Sequence, residues 1–115
     1  MLSTDKSESE ILRLLRELGY LAEVKYTWEK GFVSDDKYPV FAHDTRPILV
    51  SKKRKILKDK PIGYILIPSP RREELADKLF VWGYSKYKNE WRFLITVLRN
   101  TPFIKKNYTI IKRYK

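Results

Sequence analysis

Apolar and polar positions along this chain alternate between two periods, and each change of period marks an element. Ile11, Leu12, Leu14, Leu15 and Leu18 fall on one arc about 160° wide when residues are placed at about 100° intervals, which predicts an amphipathic helix. Ser7-x-x-Glu10 has the form of a capping box, so the helix is expected to begin at Glu8, run to Leu18 and stop at Gly19. Glu8 projects into the apolar arc, while Glu10, Arg13, Arg16 and Glu17 lie opposite. An acid in the first turn is favoured by the helix dipole, which accounts for Glu8 without any function.

From Tyr20 to Trp28 the period drops to two, with Ala22, Val24, Tyr26 and Trp28 on one face and Glu23, Lys25 and Thr27 on the other, as in a half-buried strand. After a loop over residues 29–37, Tyr38 to Ala42 and Pro47 to Ser51 read as two short strands joined by the turn His43 to Arg46. Ile62 to Ile67 is a further strand-like stretch. Ser69-Pro70 predicts a second helix, with serine at the N-cap, Leu75, Ala76, Leu79, Phe80 and Trp82 on its apolar face and Gly83 as its stop. Trp91 to Leu98 is apolar on both faces after Arg92 and reads as a central strand, and Asn107 to Tyr114 as a last, basic one. The expected architecture is a single α/β domain over residues 1–115, with a mixed β-sheet flanked by helices. A chain of 115 residues suffices for one core.

Charge changes this picture more than composition does. The net charge is +11, and it is unevenly spread. Residues 1–36 carry five basic and eight acidic side chains, whereas residues 37–115 carry twenty basic and six acidic ones. The densest run, Lys52 to Lys60, has six cations and one acid directly after an apolar strand. Such a field favours a polyanionic partner, DNA ahead of RNA and nucleic acid ahead of an anionic membrane. The DNA-facing candidates are Lys52, Lys53, Arg54, Lys55, Lys58, Lys60, Arg71, Arg72, Lys105, Lys106, Lys112, Arg113 and Lys115. The same lysines also suit a merely solvated surface.

Cysteine is absent, which excludes disulfides, thiolate zinc sites and cysteine nucleophiles. Glutamine is absent too, and the scarcity of heat-labile side chains leans towards a thermophile. No signal peptide or membrane span is evident, so a cytoplasmic protein is expected. His43-Asp44 has no second histidine or matched serine, the four glycines form no phosphate loop, and Glu23-x-Lys25 lies on a solvent face. Most of the aromatic side chains are expected in the core, although some could stack on unpaired bases.

Three segments resemble the archaeal Holliday junction resolvases of the PD-(D/E)xK, restriction-endonuclease-like fold: SESEILRLLRELGY their first helix, VFAHDTRPILVSKK their central hairpin, and RREELADKLFVWG their second helix. The resemblance covers most of the chain to about Val97. It implies a restriction-endonuclease-like sheet, a homodimer, and a site where an acid of the first helix, a strand-opening Asp and Glu-x-Lys hold a divalent metal that activates water. Glu8 and Lys52 match the first acid and the lysine. Val50 stands where the Glu belongs and Pro39 at or beside the position of the Asp; Asp36 and Asp44 are the nearest substitutes. The expectation is a DNA-binding relative, of junctions or other branched DNA, with a degenerate nuclease site and no cofactor. The rivals are an active structure-specific endonuclease using Mg²⁺ or Mn²⁺ with relocated acids, and a protein-interaction subunit of a repair or replication assembly.

Overall fold

The computed structural model describes residues 4–24, 46–52, 61–68 and 73–114. Helix α1 (Thr4–Glu17) leads into strand β1 (Leu21–Val24); β2 (Arg46–Ser51), β3 (Gly63–Ile67) and β4 (Lys78–Gly83) follow, then helices α2 (Lys88–Asn100) and α3 (Pro102–Asn107) and strand β5 (Thr109–Tyr114). The five strands form one mixed sheet in the order β1-β2-β3-β4-β5. Each of the first four runs antiparallel to its neighbour, and β5 runs parallel to β4 after the crossover through α2 and α3. The chain is thus a single α/β domain.

The helix stop at Gly19 is physical. Gly19 N–H donates to the Arg16 carbonyl at 2.9 Å and Tyr20 N–H to that of Leu15 at 3.0 Å, with Gly19 at φ 90°. This pair of bonds is a Schellman motif, and its left-handed residue carries no penalty only as glycine. The expected start fails. The helix already runs from Thr4, so Ser7 is no cap; it lies fully buried, and its hydroxyl shares a 2.5 Å hydrogen bond with that of Tyr108. A buried serine that meets a tertiary partner has no need of a helix terminus.

Ala22 is buried and Val24 packs against the same core, as the alternation predicts, and β2 and β3 lie where they are expected. Residues 25–45, which include the expected strand Tyr38 to Ala42, lie outside the described residues. Two elements differ outright. The expected second helix is a single 3-10 turn, Glu73–Leu75, followed by β4. Its four consecutive apolar residues divide between the faces of the sheet: Leu79 and Val81 enter the core beneath the helices, Phe80 and Trp82 a second cluster with Tyr64 and Leu66. A residue buried on each side in turn is what a central strand requires. Conversely, the expected strand Trp91 to Leu98 is the middle of α2, with Trp91, Leu94, Ile95 and Leu98 buried at helical spacing and Arg92, Phe93 and Thr96 exposed. Asn107 ends α3, so the last strand starts two residues later than expected.

These reassignments decide the layers. Ile11 and Leu15 of α1, four residues of α2 and Ile104 of α3 share one cluster with Ile48, Val50, Ile65, Ile67, Leu79 and Val81. Among the described residues, then, all three helices cover the same face. The reassignments also remove one of the three segments that carry the resolvase likeness, and among the described residues four strands precede the crossover.

Gly83 ends no helix; it makes room for Trp91. A Cβ on Gly83 would stand 2.5 Å from Cδ1 and 2.7 Å from Nε1 of that indole, which also lies against Gly63 on the adjacent strand. The indole Nε1 donates to the Ile62 carbonyl at 2.6 Å. One side chain thereby fixes the start of α2 over one end of the sheet.

Candidate nucleic-acid interface

That end of the sheet carries Leu21, Ser51, Gly63, Gly83 and Tyr114, aligned by register; Val24, Ile67, Lys78 and Thr109 stand towards the other. Lys52 leaves β2 at the first end and its Nζ meets Glu90 Oε1 at 2.8 Å, with the ammonium 5.4 Å from the centre of the Tyr87 ring. Glu90 sits in the first turn of α2, where its charge suits the helix dipole. Tyr20, delivered by the Schellman turn, reaches the same carboxylate. Burial first, and the Glu90 charge and hydrogen bond after it, push the Tyr20 phenol up to about 12. Glu90 likewise raises Lys52 above the ordinary lysine value, through the hydrogen bond and then the charge.

The phenol of Tyr20 therefore stays protonated in the folded protein at pH values where the unfolded chain ionises, near 10. Its contribution to stability is whole below pH 10 and disappears between pH 10 and about 12. Glu90→Gln should bring the Tyr20 titration part of the way back, because burial, the larger cause, remains. NMR of ring-labelled tyrosine, assigned with Tyr20→Phe, reads this directly; an unmoved titration would show that Tyr20 does not depend on Glu90.

The matched acid of α1 is elsewhere. Glu8 is 8% exposed, so its inward direction holds. Its neighbour Ser7, however, contacts Tyr108, the residue directly before β5 begins at the second end of the sheet. From Glu8 to Leu18 the chain climbs ten residues, roughly 15 Å at helical rise, before it turns into β1 beside Ser51. Glu8 and Lys52 thus stand at opposite ends of the sheet, and the carboxylate that holds Lys52 is Glu90. Val50 is fully buried in the core beneath the helices. Asp36 and Asp44 lie outside the described residues, as do Lys53, Arg54, Lys55, Lys58, Lys60, Arg71, Arg72 and Lys115. Among the described residues no three His, Asp or Glu side chains gather where a metal ion could be held.

The described cations collect on the C-terminal elements. Residues 84–114 carry eight cations and one acid, Glu90, which Lys52 already engages. Lys88, Arg92 and Arg99 are exposed and fall within about 40° of arc on α2 at about 100° per residue. Lys88 lies over the Tyr114 ring at 5.5 Å, which ties this stripe to β5. Arg99 and Lys105 line a cleft of about 260 Å³ with Ile104, Tyr108, Thr109 and Ile110, between α2, α3 and β5. Lys106 is exposed beside it, and Lys112, paired in register with Val81, points to the helix-bearing side. Arg113 pairs with Trp82 in register and so faces the other side.

Of the expected binding residues, the structure therefore brings Lys105, Lys106 and Lys112 onto one surface. It adds Lys88, Arg92 and Arg99, which the expected strand Trp91 to Leu98 does not bring together; their spacing of four and seven residues is the signal of a shared helix face. By contrast α1 is charge-balanced on its solvent side, with Arg13 bridging Glu10 and Glu17 at 3.0 Å each. No helix of the described residues is long and apolar enough to cross a membrane. Compared with models of known protein families, with curated proteins and with solved structures, the chain has no significant match.

Proposed function

We propose that this domain binds nucleic acid, DNA in the first place, through the surface of α2, α3 and β5, and that it does not cleave what it binds. The observation that carries the reading is the charge of these elements on their helix-bearing side, Lys88, Arg92, Arg99, Lys105, Lys106 and Lys112 with a single acid, Glu90, that is held by Lys52. A rigid cationic surface of this kind gains its affinity by releasing counterions from phosphates. The absence of cleavage is supported by the separation of Glu8 from Lys52 and by the pairing of Lys52 with Glu90, which leaves the two family-matched residues unable to act on one metal-bound water.

The test is binding of labelled DNA over a range of salt. Log affinity should fall linearly with log salt, and alanine at Lys88, Arg92, Arg99, Lys105 and Lys106 should flatten the slope by roughly 0.7 to 0.9 for each cation that meets a phosphate. The same samples, held with Mg²⁺ or Mn²⁺ and a four-way junction, should return intact strands. An affinity indifferent to salt, or an unchanged slope in the variant, would refute the binding surface; clean nicks lost in Lys52→Ala would restore the nuclease.

A further inference from the structure

Phe93 is 52% exposed, on a helix whose other large apolar residues Trp91, Leu94, Ile95 and Leu98 are buried. A phenylalanine left in water forgoes much of the stabilisation that burial would bring, and this one stands on the helix that also carries Lys88, Arg92 and Arg99. Its neighbours on the helix are ordered in rows. Towards one side, one row away, come Asn89, Thr96 and Asn100; beyond them come Arg92, Arg99 and Lys88, each row about 5–6 Å from the next where residues are three or four apart.

The middle row lies low. Thr96 Oγ1 donates to the Arg92 carbonyl at 2.8 Å and Asn100 Nδ2 to that of Thr96 at 2.9 Å, so these side chains fold back onto their own helix. Phe93 on one side of this polar strip and Arg92 and Arg99 on the other are all exposed. The helix beneath them is anchored by the Trp91 indole and its bond to Ile62. A ring presented from a rigid element, one strip away from cations, matches a nucleotide whose phosphate meets the cations and whose base meets the ring.

We propose that Phe93 is a stacking platform for an unpaired base, and hence that the surface takes single-stranded or locally unpaired nucleic acid in preference to perfect duplex. This rests on the nucleic-acid reading above and narrows its ligand. In a duplex both faces of every internal base are already stacked, so the ring has nothing to cover; in a single strand each base offers a face, whatever its identity.

The experiment compares a 15-nucleotide single strand with a duplex of the same length at one salt concentration. Phe93→Ala should weaken single-strand binding by roughly 5- to 150-fold, the equivalent of one base stack, and duplex binding by less than about 2-fold on the same reasoning. Phe93→Trp should keep the affinity. A 2-aminopurine in the strand should be quenched by the parent and not by Phe93→Ala. Equal losses on both ligands, or none, would overturn the platform. Should Arg92→Ala with Arg99→Ala weaken both ligands while Phe93→Ala changes nothing, the platform alone fails. Should the parent bind neither ligand even at low salt, the nucleic-acid reading itself fails. Light scattering run alongside covers the remaining occupant: a parent dimer that Phe93→Ala makes monomeric, with unchanged strand binding, would mean that the ring faces a second copy of the chain, and that too overturns the proposal.

Discussion

Trp91→Ala is expected to cost about 3–5 kcal/mol of folding stability, the range for truncating a large buried aromatic side chain. The indole is fully buried, and it fills the space that two glycines leave open on adjacent strands. It also donates to the Ile62 carbonyl, which keeps one further donor, the backbone N–H of Tyr84 at 3.1 Å. The loss should therefore come mainly from the cavity, and less from the unmade hydrogen bond. Gly83→Ala attacks the same contact from the other side, since its new Cβ would stand 2.5 Å from the ring. The two substitutions should be strongly non-additive, with Gly83→Ala much less harmful once the indole is gone. Urea unfolding of the two single variants and the double variant measures this, and additive losses would show that the two residues do not compete for one space.

A second large effect is expected at Val50. Glutamate there replaces a fully buried strand residue paired with Ala22 on one side and Gly63 on the other. Lost burial of about 1.5–3 kcal/mol and the cost of an unpaired carboxylate in the core add together, so Val50→Glu should unfold the domain or cost several kcal/mol. A vestigial metal site would behave differently. There Mn²⁺ would bind the folded variant and raise its melting temperature above that of the untreated variant. The expected result is no rescue, alone or combined with Pro39→Asp, because Glu8 stands at the far end of the sheet and Lys52 is already paired with Glu90. A Mn²⁺-dependent rise in the variant and none in the parent would reinstate the resolvase site.

The Lys52–Glu90 pair calls for a smaller expectation. Lys52 is 51% and Glu90 28% exposed, and a pair so open to water adds little to folding stability. Their consequence is electrostatic. The one acid of the C-terminal elements is paired with a cation that follows β2, so it offsets little of the positive field of Lys88, Arg92, Arg99, Lys105, Lys106 and Lys112.

What the sequence determines alone is what depends on neighbours along the chain. The Gly19 stop follows from a left-handed residue that only glycine adopts cheaply, the alternation at Ala22 and Val24 from a pleated strand with one face covered, and the charge of the C-terminal elements from simple counting. The tertiary structure decides the rest. Leu79 to Trp82 and Trp91 to Leu98 are both short apolar runs, and local periodicity separates poorly a strand buried on two faces from a helix buried on one. The first becomes a strand because β3 and β5 flank it and give its backbone partners on both sides; the second becomes a helix because Trp91 fits over glycines contributed by two other strands. Likewise, only the direction of α1 across the sheet puts Glu8 and Lys52 apart. Residues 44 positions apart in sequence meet or miss according to which way a helix runs, and that is set by packing across the whole core, not by either residue's neighbours.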